Sequence, residues 1–186
     1  MLIQPPLSLY IHFPWCVRKC PYCDFNSHQQ KGELPVAEYV AALTADLEQD
    51  LPLAWGRSVH SVFFGGGTPS LFLPEAIGAV LEACSARLRF APNAEITMEC
   101  NQGTAEHGRF GGYLAAGVNR VSFGVQSFDD GCLQRLGRIH DSNEAERAVK
   151  LAQDAGVANI NLDLMYALPG QSLAMALHDV ERAIAL

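Results

Sequence analysis

Apolar and polar positions along this chain alternate between a period of two and a period near four, marking out five strand-then-helix units. Leu7-Ser-Leu-Tyr-Ile-His-Phe13 reads as a first strand, and apolar residues recur at helical spacing from about Val36 to Asp50. Val59–Phe64 is a second strand running straight into Gly65-Gly66-Gly67-Thr68-Pro69, followed by a helix from Pro74 to about Arg89 with proline in its first turn. Glu95–Glu99 is a third strand, with a helix after it to about Ala116. Asn119–Gln126 is a fourth, followed by a short helix near Gly131–Leu136 and a longer one from about Asn143 to Asp154. Asn159–Leu164 is a fifth, followed by a helix over Ser172–Leu186. Strands separated by helices predict right-handed crossovers and a mostly parallel sheet. Five units are too few to close an eight-stranded barrel. The expected fold is therefore α/β, an open, partial (β/α) barrel forming one domain over residues 1–186. Ala183–Leu186 is still in a helical pattern, so the chain reads as the N-terminal part of a longer protein.

Composition narrows the function. With 49% hydrophobic and 18% charged residues, the 186-residue chain has the make-up of a globular domain. A net charge of -7 and scattered basic residues exclude a nucleic-acid surface as the main partner. No apolar run approaches the roughly 20 residues that span a bilayer, and Met-Leu-Ile-Gln-Pro-Pro has no signal-peptide pattern. The expected location is cytoplasmic, where disulfides are uncommon. Of the six cysteines, Cys84 and Cys132 read as buried small apolar residues.

The other chemistry is concentrated. Cys16-Val-Arg-Lys-Cys20-Pro-Tyr-Cys23 offers three thiolates in one loop, directly after the first strand. A closed zinc site or an all-cysteine iron–sulfur cube needs four ligands, so a centre held here keeps one position open. The competing reading is zinc completed by His12 or His28. Against it, His12 lies on a strand on the same face as Tyr10, and His28 stands five residues past Cys23. At the ends of the later strands stand the glycine run, Glu99, Gln126 and Asp163, which a (β/α) arrangement brings to one mouth. Each has a local alternative as a cap or turn residue. The glycine run lacks the Gly-Lys-Ser/Thr of a phosphate loop, but its bare backbone lets a ligand approach closely. Cys100 points to the opposite face from Glu99, and Arg138 alone reads as a solvated helix residue. His60, His107, His140 and His178 read as surface or supporting residues.

Cys16-x3-Cys20-x2-Cys23, with Tyr22 before the last cysteine, resembles the signature of the radical S-adenosylmethionine (SAM) superfamily. The resemblance implies that Cys16, Cys20 and Cys23 ligate a [4Fe-4S] cluster whose open iron is chelated by SAM. It implies that Tyr10, Tyr22, Gly66, Gly67 and Thr68 contact SAM near the cluster. Glu99 is then expected at the ribose hydroxyls, with Gln126, Arg138 and Asp163 completing the pocket. One-electron cleavage of SAM to methionine and a 5′-deoxyadenosyl radical would follow, protected by an apolar barrel wall.

Longer segments narrow the likeness. Tyr10-Ile-His-Phe-Pro-Trp-Cys16, Gly65–Pro69, Gly124-Val-Gln-Ser127 and Asn161–Gly170 resemble the oxygen-independent coproporphyrinogen III oxidase group. Within that group, Cys23-Asp-Phe-Asn-Ser-His28 and Leu136-Gly-Arg-Ile-His140 are most similar to its haem-chaperone branch. Two functions are thereby implied. One is a haem chaperone that binds haem and passes it to a haem-accepting protein. The other is oxidative decarboxylation of coproporphyrinogen III to protoporphyrinogen IX. Both imply an electron donor such as a flavodoxin or ferredoxin. Phe25 stands where the oxidases carry a further cysteine, which favours the chaperone. Gln102 replaces a proline usual in the family.

Overall fold

The computed structural model describes residues 4–101 and 108–186; Gln102 and His107 lie outside them. Five parallel strands form one sheet in the order β1 (Leu7–Phe13), β4 (Ser58–Gly66), β5 (Arg89–Cys100), β6 (Arg120–Gln126), β7 (Ile160–Leu164). The crossovers contain α1 (Val36–Ala54), α2 (Pro74–Ser85), α3 (Phe110–Ala115), α4 (Asp130–Leu136) and α5 (Ser142–Asp154). After β7 comes α6 (Leu173–Ala185). This is the open, parallel (β/α) arrangement the periodicity predicts. No helix among the described residues is long and apolar enough to cross a membrane.

Strand alternation sorts the side chains into two layers. Ile11, Phe13, Val62, Phe64, Met98, Cys100, Val121, Phe123 and Val125 are buried in the core that also takes Ile77, Val80 and Leu81 of α2 and Ala145, Ala148 and Val149 of α5. Cys84 and Cys132 are buried too, as expected. The other face is polar, which corrects the expected apolar wall. Glu99, Ser122 and Asn161 lie in one register row. Hydrogen bonds knit this face: Ser61 to Ser8, Thr97 to Glu95, Arg120 to Thr97, and Asn161 to both Ser122 and Asp163.

Some boundaries also differ from the pattern. α1 runs one turn past Asp50, to Ala54, although Pro52 in that turn has no N–H to donate. α2 stops at Ser85 and β5 begins at Arg89, pairing with Ser58 before its register shifts near Pro92. That shift accommodates a residue that cannot donate to the ladder. Two short strands, β2 (Trp15–Cys16) and β3 (His28–Gln29), pair inside what reads as a plain loop.

Phe13 joins the core to the loop above it. Its ring is fully buried and meets Phe72 edge-on at 4.7 Å, with Tyr39 and Phe64 alongside. Phe13→Ala should cost about 3–5 kcal/mol by leaving a cavity among these rings, read as a lower denaturation midpoint at unchanged slope.

Candidate functional site

The loop after β1 is tied back on itself before it offers any ligand. His28 N–H donates to Pro14 O (2.7 Å) and Gln30 N–H to Cys16 O (2.8 Å), closing the β2–β3 ladder. Inside it, Cys23 N–H donates to Cys20 O (3.1 Å), and Lys19 Nζ donates to the carbonyls of Phe25 and Ser27, both at 3.0 Å. The loop shape is thus held by backbone and by Lys19, leaving Cys16, Cys20 and Cys23 as free, half-buried thiols. Burial pushes the Cys16 thiol up, with Thr68 and Ser27 hydroxyls pulling it partly back.

The glycine run lies against the base of this loop. Gly67 N–H donates to Phe13 O (2.6 Å) and Thr68 N–H to Trp15 O (2.7 Å). A Cβ at Gly67 would sit 2.5 Å from Trp15 O, and one at Gly66 would sit 2.4 Å from the His12 ring. Gly66 also has φ +111°, in the region that favours glycine. Its N–H donates to Glu99 Oε2 (3.1 Å) at the end of β5. Burial pushes the Glu99 carboxyl up to about 7, with the Gly66 N–H opposing and Asp163 adding to the rise.

Gly137, in the left-handed region at φ +73°, caps α4 and turns the chain so that Arg138 faces Cys20. Arg138 donates to Gly124 O at 2.7 Å and to Cys20 Sγ at 3.5 Å. Gln126, at the end of β6, is a non-glycine residue at φ +69°, a conformation that costs about 1–3 kcal/mol and persists only where surroundings enforce it. Asp163 accepts from Ser122 Oγ (3.1 Å) and Asn161 Nδ2 (2.7 Å).

These residues border one cavity of about 330 Å³, a size suited to a small-molecule ligand. Cys16, Cys20, Cys23, Tyr22, Gly66, Gly67, Thr68, Glu99, Gln126, Arg138 and Asp163 all line it. Tyr10 does not. Its hydroxyl pairs with His12 Nδ1 (3.0 Å), one layer below, and its pKa is raised by burial and then by Glu99. Arg18, Phe25, Cys100, Asn101 and Gly124 also border the cavity. Asn101, which sequence reasoning passed over, donates to Thr68 Oγ1 at 2.7 Å. Cys100 is buried in the core, as strand alternation predicts.

The donor set answers the zinc alternative. Both His12 nitrogens are engaged, Nδ1 with Tyr10 and Nε2 with Asn26 O (2.8 Å), so His12 braces the cysteine loop and offers no nitrogen to a metal. His28 is exposed on β3. Among the described residues, no three His, Cys, Asp or Glu side chains converge on one ion. Three thiols lining an open cavity, with no fourth protein ligand among the described residues, fit a four-iron cube, which Cys16, Cys20 and Cys23 would hold with one iron left for another ligand. Of the two readings of His140, surface or supporting, the second fits: it is buried at 7% exposure against Val125 O (3.3 Å), and burial lowers its pKa to about 4, keeping it neutral.

Known proteins resemble this chain in sequence and in fold. The haem chaperone HemW of Escherichia coli (strain K12) is 57% identical over all of this chain, which matches 49% of that protein. HemW of Haemophilus influenzae is 53% identical over 98% of the chain, again matching 49% of the relative. The chain thus spans about half the length of the curated relatives it matches. Among solved structures, coproporphyrinogen III oxidase from Escherichia coli, a radical SAM enzyme, superposes with a TM-score of 0.84 at 29% identity. That match covers 97% of this chain and 42% of the oxidase. The profile of the radical SAM superfamily spans residues 10–183, nearly the whole sequence. With that match and the three-cysteine cavity, the chain belongs to the radical SAM superfamily, and its cofactors are a [4Fe-4S] cluster and SAM.

Proposed function

We propose that this protein is a haem chaperone, binding haem and transferring it to a haemoprotein, with the cluster–SAM site as part of its machinery. The observation that carries this reading is the contrast in likeness over the same residues. Identity is 57% to the HemW haem chaperone and 29% to the coproporphyrinogen III oxidase of one organism. Phe25 supports it: the side chain is exposed at the cavity, two residues past Cys23, where the oxidases carry a cysteine. The cytoplasm, with a flavodoxin or ferredoxin as electron donor, is the matching setting.

In this reading Cys16, Cys20 and Cys23 hold the cluster. The bound cluster and SAM together supply one-electron cleavage of the sulfonium bond. Gly66 and Gly67 present bare backbone to the SAM amino group, with Thr68 and Tyr22 beside them and Tyr10 supporting from below. Glu99 accepts the ribose hydroxyls. Arg138 places its guanidinium 3.5 Å from Cys20 Sγ, at the edge of the cluster site. Gln126 and Asp163 close the polar side of the pocket.

The oxidase is the second reading, favoured by the close superposition on coproporphyrinogen III oxidase. Anaerobically reconstituted protein should bind haem and pass it to an apo-haemoprotein, followed by the acceptor's Soret band, while coproporphyrinogen III stays intact. Formation of protoporphyrinogen IX would overturn the chaperone in favour of the oxidase.

A further inference from the structure

Asp179 of α6 is 2% exposed, far from the cysteine loop in sequence, and no role above uses it. Its Oδ2 accepts from Ser127 Oγ (2.8 Å) and from Gln171 Nε2 (3.1 Å), and its Oδ1 accepts from Phe128 N–H (2.7 Å). Ser127 Oγ in turn accepts from Asp129 N–H (3.0 Å), and Gln171 Oε1 from Leu168 N–H (3.2 Å). One buried carboxylate therefore fastens two segments: the turn after β6 and the turn after β7.

The backbone of those two turns is unusual. Among the described residues, the non-glycine residues with positive φ are Gln126 (+69°) and Ala167 (+57°). Each directly precedes a residue fastened to Asp179 or Gln171. Ser127 N–H donates to Val125 O (2.9 Å) across Gln126, a three-residue turn of the rare, strained hand. Gln126 O accepts from Met165 N–H (2.8 Å), locking the two turns together. A strained turn persists only where its surroundings over-determine it, and here the fastening is Asp179. The result lays the Gln126 amide over Gly124, where an added Cβ would sit 2.7 Å from Nε2.

We propose that Asp179 is a positioning residue for the SAM pocket: it holds the strained Gln126 turn and the Ala167 turn in register so that Gln126 faces the cavity. This rests on Gln126 contacting SAM, as proposed above.

Two measurements on the purified protein test it. In hydrogen exchange without SAM, Asp179→Asn should lose amide protection over 126–129 and 166–171 together, while β1 and β4 keep theirs. With the cluster reconstituted, Asp179→Asn should bind SAM about tenfold more weakly at unchanged iron content. Combined with Gln126→Ala, it should add little beyond Gln126→Ala alone, because both act through one group. Ser127→Ala, which removes the hydroxyl and with it the bonds to Asp179 and from Asp129 N–H but keeps the buried carboxylate, provides the same cycle if Asp179→Asn folds poorly. Loss of protection in one turn only, or additive losses in SAM affinity, would overturn the proposal. If Gln126→Ala leaves SAM binding unchanged, the Gln126 contact itself is wrong and the positioning role goes with it. If Gln126→Ala weakens binding and neither partner variant does, the clamp alone is wrong.

Discussion

Replacing Cys16, Cys20 or Cys23 by alanine, one at a time, should abolish cluster assembly and SAM cleavage while leaving the fold intact. On the proposed ligand set each thiolate would bind a separate corner of the cube, so losing any one would leave two anchors and a second exposed iron. The fold should survive because the loop is closed by groups that alanine does not remove. These are the Pro14–His28 and Cys16–Gln30 backbone bonds and the Lys19 bonds to Phe25 and Ser27 carbonyls. Cys84→Ala and Cys132→Ala are the controls, since both side chains lie in the core away from the cavity. Iron and sulfide analysis with circular dichroism on all five variants checks this. Full iron content in any of the three loop variants would contradict the ligand assignment.

Glu99→Gln should weaken SAM binding about tenfold to a hundredfold, because a carboxylate accepting hydroxyls is worth about 1.5–3 kcal/mol. Iron content should not change, since the Glu99 carboxylate is held by Gly66 N–H and is not one of the three proposed ligands. The effect should depend on pH. With the carboxyl pushed up to about 7, SAM affinity should rise as pH increases from about 6 to about 8, and the Gln variant should show no such rise. Stability runs the other way. Between the ordinary carboxylate range and about 7, the native cofactor-free protein holds a proton that the unfolded chain has released. Its stability therefore falls as pH rises through that window, a slope that Glu99→Gln removes. A SAM affinity independent of pH in the wild type would remove Glu99 from the ribose.

The fold was largely legible because the five strands of the main sheet carry alternating stretches and a helix lies in every crossover between them. β1 was bounded correctly by alternation alone, Leu7 to Phe13. The mouth residues were legible because parallel strands place their C-terminal ends on one side. What the chain pattern could not show were contacts between distant segments. Arg138 reaches Cys20 across 118 positions and Asp179 reaches Ser127 across 52. Asp179 looks from the sequence like any polar residue on an amphipathic helix. His12 shows the same limit from the other side: alternation put it beside Tyr10, but its bond to Asn26 O depends on how the loop folds back. The polar inner face was written in Ser8, Ser61, Ser122 and Asn161, which alternate with the core residues, and the expectation of an apolar wall overrode it.

Three thiolates should leave one iron of the cluster open to SAM. Electron paramagnetic resonance of the reduced, reconstituted protein with and without SAM tests this most directly. The reduced cluster should give a [4Fe-4S] signal whose g-values shift on adding SAM and stay unshifted on adding adenosine, which lacks the methionine amino and carboxylate groups. A cluster signal indifferent to SAM, or stoichiometric zinc with no cluster signal, would contradict it.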